Sequence, residues 1–334
     1  MKSRREFLKE AATGAVLLGA GKLALPAVAQ AHGAGEKSKV VIARDATLSA
    51  AGGQLEEQRV LNLLDKAMAA YTGRDKPVEA WKSVVPATVL NGKVIGIKVN
   101  GLGGRGISTH AALILAVAER LQQAGAKPGN ILVWDRNAGD LGACGMSVNT
   151  DPSRVRCYGS EVTGFEDQPV QCGPVSVRLA KILAHECDLV INMPILKDHG
   201  IAGVTFSMKN MYGVIDKPFL LHDNHCNPAL ADLNAVLAVR EKVWFTIGDA
   251  ISSVYDGGPS FHPERLWYPN ALIVGEDRVA VDHTAWQLID HKRAEVGMPT
   301  LEAAGRAPRY LATAADSAHR LGTNDPERMR LLEV

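Results

Sequence analysis

Short, nearly unbroken apolar runs alternate along this chain with longer segments in which apolar residues return every three or four positions. The runs at Lys39–Ala43, Lys93–Val99, Asn130–Trp134, Asp188–Asn192, Val243–Ile247 and Ala271–Val274 are rich in Val and Ile and bounded by Gly, Asp or Asn. Continuous rather than alternating hydrophobicity predicts strands buried on both faces. The segments Leu55–Tyr71, His110–Ala124, Ser176–His185, Ala229–Val239 and Arg278–Asp290 carry helical period and length. Strands alternating with helices predict an α/β fold, a largely parallel sheet flanked by helices. A division into two lobes, about 39–190 and 191–300, fits this alternation, followed by a polar, charge-mixed tail.

In sheets of this kind ligands sit beyond the carboxyl ends of the strands. The strand exits here are polar: Asn100-Gly-Leu-Gly-Gly, Asp135-Arg136-Asn137, Asn192 leading to Lys197-Asp198-His199, and Gly248-Asp249. Two turn-rich stretches, Leu141–Gln171 and Ser252–Pro269, are long enough to rim or cover a pocket.

The first thirty-one residues follow a different rule. Arg4-Arg5-Glu6-Phe7-Leu8-Lys9, a mildly apolar Gly/Ala-rich run from Ala11 to Ala24, and the small residues Ala27-Val28-Ala29 and Ala29-Gln30-Ala31 read as a twin-arginine export signal with a cleavage site. The apolar run is interrupted by Gly14, Gly19, Gly21 and Lys22, which disfavours a retained membrane span. Export of a folded protein through the twin-arginine machinery to the periplasm is the expectation, with residues 32–334 forming the mature α/β domain. Cleavage at Ala31 removes five of the 37 basic and two of the 36 acidic residues and takes the formal charge from +1 to −2. That balance gives no reason to expect a nucleic-acid or anionic-membrane partner.

Cys144, Cys157, Cys172, Cys187 and Cys226 include no C-x-x-C pair, so no iron–sulfur cluster or cysteine-only zinc site is expected. The chain has no G-x-S-x-G elbow, Walker loop or H-E-x-x-H motif, and the glycines after Asn100 do not match the dinucleotide fingerprint.

The densest polar constellation runs from Asn192 to Cys226. Lys197, His199, Lys209 and Asn210 place cations and donors at one sheet edge, suited to a small anionic ligand bearing carboxylate or phosphate. Gly213 allows backbone to approach a ligand, and Val204 to Met208 surrounds Lys209 with an apolar stretch that would shift its pKa. His222-x-x-His225 has ligand spacing for a metal ion if helical. Asp249, after a buried strand, could position substrate or a histidine or simply cap a helix. Two classes fit this set. One is an enzyme with Lys197, His199, Lys209 and Asp249 as catalytic residues and Asn100, Lys209, Asn210 and Gly213 around a cofactor or ligand. The other is a periplasmic binding or cofactor-maturation protein that captures an anion without chemistry.

Lys197-Asp-His199, Val204-Thr205 to Lys209-Asn210-Met-Tyr-Gly213, a later His222 or His225, Gly248-Asp249 with Gly258-Pro259, and Glu276 to Asp282 together resemble the domain of unknown function 362 family. The resemblance covers about Lys39 to Asp290 and implies the fold and the site rather than a reaction. Lys209 to Gly213, with His225 downstream, is also distantly similar to the nickel-pincer lactate racemase group. That similarity implies a nickel-type cofactor held at Lys209 and a metal ligated by His225, with zinc at His222 and His225 the other metal expectation.

Overall fold

The computed structural model describes residues 36–48 and 55–334, so the segment read as an export signal lies outside the described residues. The strands are β1 (Ser38–Arg44), β2 (Ile95–Lys98), β3 (Ile131–Trp134), β4 (Arg156–Cys157), β5 (Val170–Cys172), β6 (Val175–Val177) and β7 (Leu189–Asn192). They continue as β8 (Ile195–His199), β9 (Gly203–Thr205), β10 (Val243–Val254), β11 (Leu266–Trp267), β12 (Ala271–Gly275) and β13 (Met329–Glu333). Among the described residues eleven of them form one sheet with the path β13-β1-β12-β10-β7-β2-β3-β4, extended by β8, β9 and β11, while β5 and β6 make a separate hairpin. From β10 to β4 the path is parallel; β12 runs antiparallel between β10 and β1. The fold is therefore a mixed α/β architecture around a largely parallel sheet. The division expected at residue 190 falls inside β7 (Leu189–Asn192), a central strand of this sheet.

The strand pattern follows from burial on both faces. Ile131 and Val133 enter one core, with Ile95, Ile97, Leu189 and Ile191. Their neighbours Leu132 and Trp134 enter the opposite core with Val190. Helices α1 (Glu57–Thr72), α2 (Pro77–Val84) and α3 (Ala111–Ala124) supply Val60, Leu64, Trp81, Ile114 and Val117 to the first layer. Gly73, at φ 70°, ends α1 in the left-handed conformation that glycine adopts without cost. Helix α4 (Ala229–Ala235) packs Leu230 and Leu233 into the second layer. Helix α5 (Leu237–Lys242) leads into β10, and α6 (Arg278–Glu295) covers β12 and β1 through Val281, Ala285 and Ile289.

Four expectations are corrected. Ser176–His185 is not a helix: β6 pairs with β5, Ala180 N–H donates to Val214 O, and only Ile182–Glu186 winds, as a π-type turn. Val175 and Val177 have the β-branched alternation of a strand, and these backbone pairings decide the matter. The helix expected over Ala229–Val239 breaks at Val236, whose φ −55° and ψ 131° are extended. Strand β10 runs past Ile247 to Val254, where its second half pairs with β8 and β11. The polar tail is structural: Tyr310 and Leu311 are buried, and β13 joins β1 as a parallel edge strand. No helix among the described residues is long and apolar enough to cross a membrane.

Candidate functional site

Chain order reverses direction across the sheet between β2 and β7. From β2 the chain proceeds outward through β3 to β4, then returns to place β7 on the other side of β2. Loops at the carboxyl ends of such neighbouring strands diverge and leave a crevice. Here the crevice becomes a cavity of about 200 Å³, lined by residues that include Asn100, Asp135, His199, Thr205, Lys209 and His222.

Asn210 closes the floor. Its side-chain oxygen accepts from Lys98 Nζ at 3.3 Å and from Asn100 Nδ2 at 3.1 Å, while its Nδ2 donates to Asn192 Oδ1 at 2.7 Å and to Lys98 O at 3.3 Å. One amide therefore joins the ends of β2 and β7. It stands on a 3-10 turn, Lys209–Val214, whose approach is held by Asp282: the buried carboxylate accepts from Ser207 N–H at 2.6 Å, Met208 N–H at 3.1 Å and Tyr310 Oη at 3.1 Å. Burial raises the Asp282 pKa to about 7, against the opposing effect of these donors. Gly213 completes the turn; a Cβ there would stand 2.7 Å from Lys98 Nζ and 3.0 Å from Asp135 Oδ1, so only glycine lets the turn lie against that pair.

Three buried lysines converge on this region, and an ammonium has three donors to place. Lys98 places all of them, on Asp135 Oδ1 at 2.7 Å, Val99 O at 2.7 Å and Asn210 Oδ1 at 3.3 Å. Lys197 does the same with Asn100 Oδ1 at 3.1 Å, Ile107 O at 3.3 Å and the carbonyl oxygen of Leu102. Lys209 differs. Its one hydrogen-bond partner among the described residues is His222 Nε2 at 3.2 Å, and its ammonium lies 3.4 Å from the Tyr212 ring centroid. Burial pushes the Lys209 pKa down to about 7.

The imidazoles have assignable tautomers. His199 Nδ1 accepts from the backbone N–H groups of Ile201 and Ala202, both at 3.1 Å, which leaves the proton on Nε2. Burial, reinforced by the nearby Lys209, holds the His199 pKa down at about 2, so this ring is a neutral donor. His222 has the opposite arrangement: Nδ1–H donates to Phe219 O at 3.3 Å and Nε2 accepts from Lys209. Burial and Lys209 lower its pKa as well. The two rings stack with centroids 5.6 Å apart. Thr205 Oγ1 is buried beside the cavity and has no hydrogen-bond partner among the described residues.

The structure thus brings Asn100, His199, Lys209, Asn210, Gly213 and His222 to one cavity wall, with Lys197 directly behind Asn100. His225 does not line the cavity; its Nδ1 pairs with Ile201 O at 3.2 Å. The helical spacing expected for His222 and His225 does not form, because Asn224 and His225 have φ of 49° and 56°. Asp249 also lies off the cavity. Its Oδ2 accepts from His110 N–H and contacts His110 Nδ1, both at 2.8 Å, which fixes the start of α3. Lys98 and Asp140 are cavity residues that the sequence reading did not single out, while Asp135 and Arg136 enter it only as a polar strand exit and Tyr212 only as a neighbour of Gly213. A lysine inside the apolar run Val94 to Val99 was the available signal for Lys98, since a charge there must find partners.

The donor set does not fit a metal-centred cofactor. The His199 Nδ1 lone pair is committed to backbone amides, that of His222 Nε2 faces Lys209, and His225 stands outside. Among the described residues no three His, Cys, Asp or Glu side chains gather as ligands.

These features define an α/β protein with a small polar cavity at the switch point of its parallel sheet. The chain belongs to the family described as domain of unknown function (DUF362), matched over residues 95–287, a span that contains every residue of the cavity. It is similar, at 13% identity and a TM-score of 0.45, to a crystal structure of a Thermotoga maritima protein from a structural genomics consortium; the alignment covers 73% of this chain and 61% of that one. The chain thus spans less than two thirds of that protein's length. No curated protein matches the sequence.

Proposed function

We propose that this cavity is the active site of an exported enzyme acting on a small anionic substrate, with Lys209, His222 and His199 as the groups that meet it. The observation that carries the reading is Lys209: a buried amine with unplaced donors at a cavity wall, beside the unpartnered hydroxyl of Thr205. Buried polar groups are ordinarily satisfied, and those left open at a cavity are what a ligand satisfies. In this assignment Lys209 holds the anion, the His199 Nε2–H donates to it, and His222 Nε2 exchanges the proton. His199, neutral far below working pH, serves as donor rather than base. Lys197 and Asp249 position the loop after Asn100 and the start of α3. Export rests on Arg4-Arg5 ahead of Phe7-Leu8-Lys9.

Binding of lactate, acetate and phosphate to the mature protein, followed calorimetrically, tests the site. Lys209→Met and His199→Ala should each weaken the bound anion by roughly tenfold or more, the scale of one lost charge-assisted contact. Unchanged affinity in both variants would remove the assignment. Replacing Arg4 and Arg5 by lysine should leave the precursor folded in the cytoplasm; normal processing of that variant would contradict export.

A further inference from the structure

We propose that Lys209 is a carbonyl-capturing amine and that the substrate class of this cavity is a small oxo acid or aldehyde acid, held as a Lys209 imine. The inference rests on the reading of the cavity as an anion site and adds the covalent step. It starts from the contrast among the three lysines. Lys98 and Lys197 each give all three donors to oxygens, so protein acceptors already surround both nitrogens. Burial lowers the Lys197 pKa to about 7, as it does that of Lys209, and the surroundings of the nitrogen are what separate the two. Lys209 has no carboxylate within ion-pair distance among the described residues; a ring face and one imidazole nitrogen surround it. An amine attacks a carbonyl only through its free lone pair, and Lys209 is the lysine of the three whose environment leaves that lone pair available.

His222 supplies the proton traffic. Its Nδ1–H is fixed on Phe219 O, so the Nε2 lone pair 3.2 Å from Lys209 Nζ can accept a proton from that nitrogen. The step balances without oxidant or reductant. The Nζ lone pair forms the C–N bond, the carbonyl π pair moves to oxygen, and a proton leaves Nζ for His222 Nε2. Return of that proton to the alkoxide oxygen gives the carbinolamine, and the second Nζ proton, passed through His222 Nε2 to the hydroxyl, lets it leave as water as the C=N bond forms. The carboxylate arm then meets donors that no group among the described residues satisfies, namely His199 Nε2–H and Thr205 Oγ1, with Arg136 also lining the cavity. The depressed pKa of Lys209, about 7, is consistent with a nucleophile at neutral pH.

Pyruvate and lactate make the test, since they share a carboxylate and size while only pyruvate has a carbonyl. Wild type, Lys209→Met and Lys209→Arg are incubated with pyruvate and sodium cyanoborohydride at pH 7, then measured by intact mass and peptide mapping. Binding of both acids is measured calorimetrically without reductant. The expected result is a single carboxyethyl adduct mapped to Lys209, formed roughly a thousandfold faster than on surface lysines if the difference in free-amine fraction at pH 7 sets the rate. It should be absent from both variants. If pyruvate and lactate bind wild type alike and no adduct maps to Lys209, the imine is overturned and the anion site stands. If neither acid binds, both readings fall. Thermal unfolding of each variant establishes that loss of the adduct is not loss of fold.

Discussion

Three lysines within one site show how little residue type says until donors are counted. Lys98 is the partner of buried Asp135, so Lys98→Met leaves a carboxylate without its cation and should cost roughly 3–5 kcal/mol in chemical denaturation. Lys209 is the reverse case, a buried charge with little compensation, and Lys209→Met should stabilise by roughly 0.5–2 kcal/mol near pH 6 while weakening anion binding. The pH dependence has a definite sign. The folded pKa of about 7 lies below the unfolded value, so the unfolded chain binds more protons between pH 7 and roughly pH 10. Wild-type stability therefore rises through that window, and the advantage of Lys209→Met shrinks toward zero as pH approaches 10. A difference that stays constant from pH 6 to 10 would mean that Lys209 is not desolvated in the folded state.

At the scale of elements, sequence reading succeeded where one periodicity decided the outcome and failed where pairing with distant chain did. Strands β2, β3 and β7 are legible because both faces are buried, and α1, α3 and α6 because their apolar stripes are long. Ser176–His185 has a helix-like composition, yet Val214 and β5 offer its backbone partners that no local pattern announces. The same limit applies to the site. Lys197, His199 and Lys209 stand out as a local motif and Asp135 as a polar strand exit, whereas the pairing of Asp135 with Lys98 is identifiable only once β3 is known to neighbour β2. His225 was drawn in by spacing that backbone geometry then cancels. Gly213 is where element and site meet, so Gly213→Ala should push the Lys209–Val214 turn away from Lys98 and Asp135. The expected cost is about 1–3 kcal/mol with a parallel loss of anion affinity, as for overpacking of a closed site. Retained stability with full affinity would show that the Lys98 side chain yields instead.

Across the whole molecule, the segment after Pro299 ties the layers together rather than trailing over the surface. Arg306 reaches Asp198, between Lys197 and His199, at 2.9 Å and Asp256 at 2.8 Å, while Tyr310 bonds Asp282 under the Lys209 turn. His319 fastens the same segment to α4: its Nε2 meets Asp232 Oδ1 at 2.8 Å and its Nδ1 meets Asp316 Oδ1 at 2.9 Å, with the ring fully buried. Burial opposes a charge on this imidazole, but two carboxylates outweigh it and the pKa is raised. A histidine whose folded pKa exceeds its unfolded one contributes stability that is complete below the unfolded value of roughly 6.5 and disappears as pH rises through the folded one. Amide exchange over residues 310–321 should therefore quicken between pH 6 and 9 beyond the intrinsic base catalysis of exchange, and His319→Gln should flatten that excess while raising exchange at pH 6. Because Tyr310 also supports Asp282, loosening this segment should weaken anion binding at high pH in wild type more than in His319→Gln. An excess exchange rate that follows pH equally in both proteins would assign the effect to another titrating group and leave His319 as packing.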